Sequence, residues 1–321
     1  DWYNHPDMKK RLLLAIIVLA LLGGAFSFAY LNWHNGKKQV AGSISAEDLS
    51  KSEEEKLIRE NTEKYQPKGE TTDTPGPTVS AKSAIVVDQN TNKILYAKNI
   101  HQSLPPASVL KMLTLSIALE LFEEDELIEI SENASVQISN KINMKPGEKL
   151  KISDLLYGLM MISANDAAYA IADATEGGFE RFIELANQKV RRLGLKETVM
   201  KNPAGLDDPQ QTSSAFDLAT ITRYALLEHP QVISYAGKTT EHSVYMTEHN
   251  EPHWWFGHLS HMLTTYKPMI AAKTGYTDEA GTTYIGIAES NGRRLVLVIL
   301  GSKGSSANTD VRSLLDYGFS R

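Results

Sequence analysis

Cysteine is absent from this 321-residue chain. Its absence excludes disulfide bonds, thiolate nucleophiles, cysteine-ligated zinc, iron–sulfur clusters and a lipid-modified cysteine anchor. The chain also lacks a basic excess, because 33 Lys and Arg residues are outweighed by 39 Asp and Glu residues, for a net charge of −6. A phosphate-binding surface needs such an excess, so no nucleic-acid partner is expected. With 42% hydrophobic residues, the chain has enough apolar material for a sizeable core.

The longest stretch without charge lies near the N-terminus, over residues 12–31. A helix of about 20 residues is about 30 Å long, which is the thickness of the hydrocarbon core of a bilayer. A basic cluster at positions 9–11 precedes this run, and the positive-inside rule keeps such a cluster in the cytoplasm. We therefore expect a cytoplasmic N-terminus over residues 1–11, a single transmembrane anchor over residues 12–33 and an extracytoplasmic remainder.

A second interpretation of the same run is a signal peptide that is removed on export. Ser27-Phe28-Ala29 has the small-x-small pattern of a cleavage site, and cleavage there would release a secreted protein. The apolar run is longer than a usual signal-peptide core, which favours the uncleaved anchor. Beyond it, residues 34–79 are polar and end in the breaker-rich stretch 71–77. We interpret residues 34–79 as a solvated stalk and linker, and residues 80–321 as the globular domain.

Within the globular domain, strand patterns occupy both ends and helical patterns occupy the middle. The order predicts an α+β fold in which an antiparallel sheet, built from both ends and flanked by helices, receives an inserted all-helical lobe. The strand patterns are 84–87, 93–97, 270–274, 282–288 and 295–300, and the helical patterns are 109–121, 152–162, 166–174, 178–193, 217–227 and 309–317.

Ser108 and Lys111 form the first motif with chemical meaning, Ser-x-x-Lys at the start of a predicted helix. Residues three apart share one helix face, so the two side chains meet. A serine hydroxyl becomes a good nucleophile only when a base takes its proton, and a neutral lysine beside it can do so. The N–H groups at a helix N-terminus also suit a developing oxyanion. The motif is common by chance, and by itself it equally describes a helix cap with a surface lysine.

Two further motifs follow in order along the chain. Ser163-Ala164-Asn165 lies between two helical patterns, where it offers a hydroxyl for proton relay and an amide for a substrate carbonyl. Lys273-Thr274-Gly275 ends a strand pattern, so the strand edge can align an extended peptide while Lys273 and Thr274 address its carboxylate. The glycine allows a ligand to approach the backbone closely.

The set Ser-x-x-Lys, Ser-x-Asn and Lys-Thr-Gly, in that order, is the signature of penicillin-recognising serine enzymes. The flanking stretches 201–207 (Lys-Asn-Pro-Ala-Gly-Leu-Asp) and 212–219 (Thr-Ser-Ser-Ala-Phe-Asp-Leu-Ala) narrow the match. Over residues 80–321 the chain resembles the D-alanyl-D-alanine carboxypeptidase family of low-molecular-weight penicillin-binding proteins. The resemblance implies the serine β-lactamase/transpeptidase-like fold, with the active site between sheet and helical lobe.

The same resemblance implies a role for each motif residue. It makes Ser108 the acylated nucleophile and Lys111 its proton acceptor, with Ser163 and Asn165 relaying protons and orienting substrate. It makes Lys273, Thr274, Gly275 and Tyr276 the substrate-binding residues, and the N–H groups of Ser108 and Tyr276 the oxyanion hole. The implied substrate is a peptidoglycan stem peptide ending in D-Ala-D-Ala, with β-lactams as covalent inhibitors and without a cofactor or metal.

Two features depart from the family pattern. Many members carry an arginine between the last strand and the last helix that helps to hold the substrate carboxylate, whereas this chain has Ala307 there. Lys303 is the nearest replacement, although an ammonium group does not reproduce a bidentate grip. The stretch 254–261 before the Lys-Thr-Gly motif also departs from the family pattern.

Other functions remain open at this level. A serine β-lactamase of the most similar class needs a Glu-x-x-Leu-Asn deacylation motif, and Glu184 and Asn187 have the wrong spacing. A catalytically idle, wall-binding or sporulation-type interaction protein could use the same scaffold. A metal site is not expected, because the histidines lack a helical carboxylate–histidine pattern and Pro252 interrupts their periodicity. These histidines are His249, His253, His258 and His261.

Overall fold

A computed structural model describes residues 50–70, 73, 75–240 and 257–321, together with the backbone of 242–245 and 252–255. The predicted transmembrane anchor over residues 12–33 lies outside these ranges. Within them, no helix is both long and apolar enough to cross a membrane.

The described strands belong to one five-stranded sheet and two two-stranded sheets. They are β1 (Ser83–Asp88), β2 (Lys93–Lys98), β3 (Leu127–Glu129), β4 (Lys149–Lys151), β5 (His242–Tyr245), β6 (Pro252–Trp255), β7 (Met269–Thr277), β8 (Gly281–Ser290) and β9 (Arg293–Ser302). The large sheet has the order β2-β1-β9-β8-β7, and every neighbouring pair is antiparallel. Because β9 pairs with β1, the two ends of the domain meet in one sheet, as predicted.

The described helices are α1 (Lys51–Tyr65), α2 (Lys111–Leu121), α3 (Glu132–Ser135), α4 (Ile152–Met161), α5 (Asn165–Ala174), α6 (Gly178–Arg192), α7 (Ala215–Glu228), α8 (Val232–Gly237), α9 (Met262–Thr265) and α10 (Ser306–Phe319). Most of them lie between β2 and β7, together with the short strands β3 to β6, while α1 precedes β1 and α10 follows β9. The predicted α+β fold with an inserted helical lobe is therefore confirmed for the described residues.

Strand side chains alternate between two hydrophobic cores, one on each face of the sheet. Ile85 and Val298 belong to the core shared with the helical lobe. Val86 and Leu297, one position away along their strands, belong to the core that includes residues of α10. Strands covered on both faces carry continuous apolar runs instead of an alternating pattern. This is why β1, β8 and β9 were recognisable from sequence.

Helix α1 corrects the predicted stalk over residues 34–79. Tyr65 at its end is buried, and its backbone oxygen accepts a hydrogen bond from Arg223 Nε at 3.0 Å. Earlier in the helix, Asn61 Nδ2 donates to Arg192 O at 2.8 Å. The prediction of a solvated stalk was wrong for residues 51–65, because polar contacts and the buried ring of Tyr65 hold α1, and these leave no apolar stripe in the sequence. The folded unit therefore includes α1 as well as residues 80–321.

Candidate active site

Ser108 lies in a short 3-10 turn, Ala107–Leu110, that leads directly into α2. The predicted helix over residues 109–121 therefore begins two residues later, at Lys111. Ala107 has a φ of +49°, a conformation that side chains other than glycine rarely adopt. The chain thus turns sharply just before the serine, which becomes half-buried at the helix entrance.

Strand β7 passes next to the backbone of this turn. A Cβ atom placed on Gly275 would lie 2.9 Å from Ser108 N and 2.4 Å from Thr283 Oγ1. The same Thr283 hydroxyl donates to Pro106 O at 2.9 Å and ties the turn to β8. Glycine in the third motif is therefore a steric requirement of the close approach between strand and nucleophile.

The Lys111 side chain is fully buried, and its Nζ reaches three oxygen atoms. It donates to Ser108 Oγ at 2.9 Å, to Asn165 Oδ1 at 2.8 Å and to Ala204 O at 2.6 Å. The amide and backbone carbonyl oxygens are acceptors only. Donation to all three oxygens describes the ammonium form. In the neutral amine, Asn165 Oδ1 and Ala204 O take the two N–H groups, so the lone pair faces the Ser108 hydroxyl.

The surroundings of Lys111 favour this neutral amine. Burial is the largest influence, and together with the positive charge of Lys273 it lowers the pKa of Lys111 well below its ordinary value. The carboxylate of Asp166 acts in the opposite direction. Burial and a like charge both disfavour an ammonium ion, so Lys111 is suited to accept a proton.

The second motif occupies the turn between α4 and α5, as predicted. Ser163 has a φ of +60° at this turn, and Asn165 is the first residue of α5. Asn165 N donates to Asn140 O at 2.7 Å, and Asn165 Nδ2 donates to Ile138 O at 2.9 Å. The amide is thereby oriented so that its oxygen faces Lys111.

Lys273 of the third motif connects the sheet to the second motif. Its side chain is fully buried, and Nζ donates to Ser163 Oγ at 2.9 Å and to Thr274 O at 2.6 Å. Burial lowers the pKa of Lys273 to about 7. The ammonium form is therefore in balance with the neutral amine near neutral pH, and a bound anion would favour the ammonium form.

A cavity of about 410 Å³ opens above these groups. It lies between β7 and the turns that bear the first two motifs, so the three motifs meet at one cleft. Tyr276 lines the cleft and is 64% exposed. The lining residues are Ser108, Ser139, Asn140, Ser163, Asn165, Gly205, Leu206, Leu259, Thr274, Gly275, Tyr276, Thr277 and Thr282. A hydroxyl in contact with a buried amine, beside a strand edge, is an arrangement suited to acyl transfer.

A family model described as D-alanyl-D-alanine carboxypeptidase matches residues 68–304. The chain belongs to this family. D-alanyl-D-alanine carboxypeptidase DacF of Bacillus subtilis is 31% identical over 247 residues, which are 75% of this chain and 62% of DacF. DacB2 of Mycobacterium tuberculosis is 32% identical over 252 residues, 76% of this chain and 84% of that protein. The chain thus spans less than two thirds of DacF.

Solved structures agree with this family and its fold. A D-alanyl-D-alanine carboxypeptidase from Mycobacterium tuberculosis aligns with a TM-score of 0.70 at 28% identity, over 80% of this chain and 96% of that one. The DD-transpeptidase of Streptomyces K15 aligns with a TM-score of 0.73 at 23% identity, over 77% of this chain and 100% of that one. The second similarity concerns the fold alone.

The loop that carries Ala204 contributes a group that the sequence did not reveal. Its carbonyl accepts from Lys111, but a carbonyl is present at every residue and has no signature. Asn202 Oδ1 holds the loop by accepting from Ala204 N at 3.2 Å and Leu206 N at 2.9 Å. A Cβ on Gly205 would lie 2.1 Å from Ala107 O. The Asn-Pro-Ala-Gly stretch is part of the family resemblance, and its asparagine and glycine are the only sequence signal for this loop.

Several other sequence candidates are not brought into the cleft. Ala307 is the second residue of α10 and is buried in the core that includes this helix, and Lys303 is exposed and is not among the lining residues. Glu184 forms an exposed ion pair with Arg181 at 2.5 Å. Asn187 Nδ2 donates to Met200 O at 2.9 Å in a structural contact. The Glu184–Asn187 pair therefore has no place at the cleft from which to activate water.

The four histidines of residues 249–261 also do not form a predicted functional site among the described residues. His249 and the side chain of His253 lie outside the described residues. Burial and the charge of Lys273 lower the pKa of His258 to about 4, so this histidine is neutral at physiological pH. Among the residues that the structure describes, no group of three or more His, Cys, Asp or Glu side chains is placed to hold a metal ion.

Proposed function

We propose that this protein is a serine D-alanyl-D-alanine carboxypeptidase that removes the terminal D-alanine from peptidoglycan stem peptides. The single observation that carries the proposal is the contact of buried Lys111 Nζ with Ser108 Oγ at 2.9 Å, with two carbonyl oxygens holding the other donor positions of the amine. This arrangement supplies a base already directed at the serine proton. Membership of the carboxypeptidase family supports the choice of substrate.

In the proposed acylation step, Ser108 Oγ attacks the carbonyl carbon of the peptide bond between the two D-alanines. Its proton passes to Lys111 Nζ, and the N–H groups of Ser108 and Tyr276 stabilise the oxyanion. The C–N bond then breaks, and the departing amine takes up a proton through the Ser163 hydroxyl or Lys111. Water hydrolyses the ester on Ser108 and restores the free hydroxyl.

The C-terminal carboxylate of the peptide is assigned to Lys273 and Thr274. Lys273 Nζ already donates to Ser163 Oγ, so one cation would connect the bound carboxylate to the proton-relay serine. Strand β7 is at the edge of the sheet, and an edge strand accepts an extended peptide as an added strand. Gly275 and Tyr276 continue that edge beside Ser108.

The main prediction of the proposal is a stable penicillin adduct on Ser108. Benzylpenicillin should add one acyl group to the wild-type protein and none to Ser108→Ala, as measured by intact-protein mass spectrometry and peptide mapping. The adduct should be long-lived, because Glu184 is not at the cleft to activate a deacylating water. D-alanine release from a pentapeptide should be abolished by the same substitution and by prior penicillin treatment.

Ser116→Ala is the matched control, since Ser116 is a buried serine of α2 that donates to Met112 O within its own helix. It should retain both adduct and peptidase activity. An adduct on another serine contradicts the assignment of Ser108. Rapid turnover of penicillin would favour the β-lactamase alternative, and labelling without D-alanine release would favour an idle wall-binding protein.

We further propose that residues 12–33 anchor the catalytic domain on the outer side of the cytoplasmic membrane. Their length and the basic residues before them support this location. The protein isolated from cells should remain with the membrane fraction after a high-pH wash and leave it in detergent. Intact mass should show the apolar segment retained. A mature terminus near Tyr30 would instead identify that segment as a cleaved signal peptide.

A further inference from the structure

Asp166 directly follows the second motif and is a buried carboxylate to which the proposed mechanism gives no role. Its side chain is completely inaccessible to solvent. One carboxylate oxygen accepts from Ile142 N at 2.8 Å and Asn143 N at 2.9 Å, and the other accepts from Ala167 N at 2.9 Å. Burial raises the pKa of Asp166 above its ordinary value, and the hydrogen bonds from the backbone N–H groups oppose this by stabilising the ionised form.

These contacts fasten one wall of the cleft. Ser139 and Asn140 line the cavity, and the carbonyl of Asn140 accepts from Asn165 N at 2.7 Å. Asp166 binds the same loop two residues further on, at Ile142 and Asn143. Two neighbouring residues of α5 therefore hold both ends of the segment 140–143. Asn143 adopts a φ of +69°, a left-handed conformation that asparagine tolerates better than most non-glycine residues, and its N–H is held by the carboxylate of Asp166.

Asp166 also acts electrostatically on the proposed base, Lys111. Two charged groups act on Lys111, namely Lys273, which disfavours its ammonium form, and Asp166, which favours it. Burial acts in the same direction as Lys273. If Asp166 were neutral, burial and the charge of Lys273 would both lower the pKa of Lys111, and the opposing charge of the Asp166 carboxylate would be lost. A very weakly basic amine takes a proton from serine poorly, since general-base catalysis improves as the base strength approaches the working pH range.

We propose that Asp166 is a positioning residue that fastens the 140–143 wall to the Lys111–Asn165 pair and balances the charge of Lys273 at the proposed base. This inference rests on the proposed function, in which Lys111 accepts the proton of Ser108. Asp166 acts through Lys111 and Asn165, and it does not touch the substrate.

Asp166→Asn tests the inference by its effect on a pH profile. The rate constant of Ser108 acylation by benzylpenicillin is measured between pH 4 and 10 with wild type and variant. The loss of a nearby negative charge lowers the pKa of Lys111, so the acid limb should move down by about 1 pH unit. The maximal rate should fall about tenfold or more, because the cleft wall and the amine lose their support.

Asp310→Asn is a matched control with a similar structural cost. Asp310 is also a buried aspartate near the start of a helix, and its carboxylate accepts from Ser80 N at 3.0 Å and Ala81 N at 3.1 Å. It lies in the core of the opposite sheet face, away from Lys111. We expect a comparable drop in melting temperature for both variants, and an unchanged acid limb for Asp310→Asn.

The outcomes separate this inference from the proposed function. The proposed function fails if the wild type is not acylated, or if Lys111→Ala does not abolish the acylation. If wild type is acylated with an acid limb and folded Asp166→Asn keeps that limb or moves it upward, the proposed role of Asp166 is wrong. A limb shifted downward, or out of the measured range, in Asp166→Asn alone supports it. Circular dichroism at each pH confirms that the variants remain folded.

Discussion

Lys111→Arg is expected to acylate Ser108 about a thousandfold more slowly than wild type, although the positive charge is kept. A guanidinium does not give up its proton at accessible pH, so it cannot act as the base, and a general base of this kind contributes about 10²- to 10⁴-fold. Lys111→Ala should lose a similar factor. Lys273→Arg is the matched control, because its proposed task is to supply charge, and it should keep partial activity. Stopped-flow acylation by benzylpenicillin measures all three.

The pH dependence of the acylation rate is a second test of Lys111 as the base. Acylation by an ester substrate should fall as the pH drops through the lowered pKa of Lys111, because the base becomes protonated. For substrates with a carboxylate, kcat/KM should also fall as the pH rises above about 7, where free Lys273 loses its proton. Substantial acylation by folded Lys111→Arg would mean that another group is the base, and the mechanism would have to be withdrawn.

A fragment that begins at Ser80 is expected to be severely destabilised, whereas one that begins at Ser50 should fold. Loss of α1 uncovers Tyr224, whose ring meets that of Tyr65 edge-on at 5.0 Å. It also removes the carbonyl that Arg223 Nε contacts at 3.0 Å. Burying a large side chain such as Tyr65 contributes about 2 kcal/mol, and a hydrogen bond that involves a charged group contributes about 1.5 to 3 kcal/mol. Together these predict a loss of about 4 kcal/mol in the free energy of unfolding.

Urea unfolding of the two fragments, followed by circular dichroism, measures this difference. Tyr65→Phe in the longer fragment is the milder control. It removes only the hydroxyl that donates to Glu228 Oε1 at 2.7 Å, and it should cost about 1 kcal/mol. Equal unfolding midpoints for the two fragments would show that α1 is a dispensable attachment, as the sequence had suggested.

The amino-acid sequence by itself determined the sheet, the order of its elements and the three motifs. Strands β1 and β9 were recognisable because burial on both faces requires unbroken apolar runs. Strand β8 is joined to β9 by Asn291 and Gly292, which have φ values of +51° and +76°, as a tight hairpin turn requires. The sequence also identified the reactive residues Ser108, Lys111 and Lys273, because a hydroxyl or amine function follows directly from the residue type.

Only the tertiary structure decided which groups act on those side chains. The carbonyl of Ala204 is chemically identical to every other backbone carbonyl, so only its position 2.6 Å from Lys111 Nζ distinguishes it. The influence of Asp166 on Lys111 acts through space, between residues 55 positions apart in sequence. Helix α1 was misjudged because its attachment depends on single polar contacts, such as that of Arg223 with Tyr65, and not on a repeating apolar pattern. Sequence patterns record which residues repeat along an element, whereas hydrogen bonds and charge effects depend on distances that only the folded chain sets.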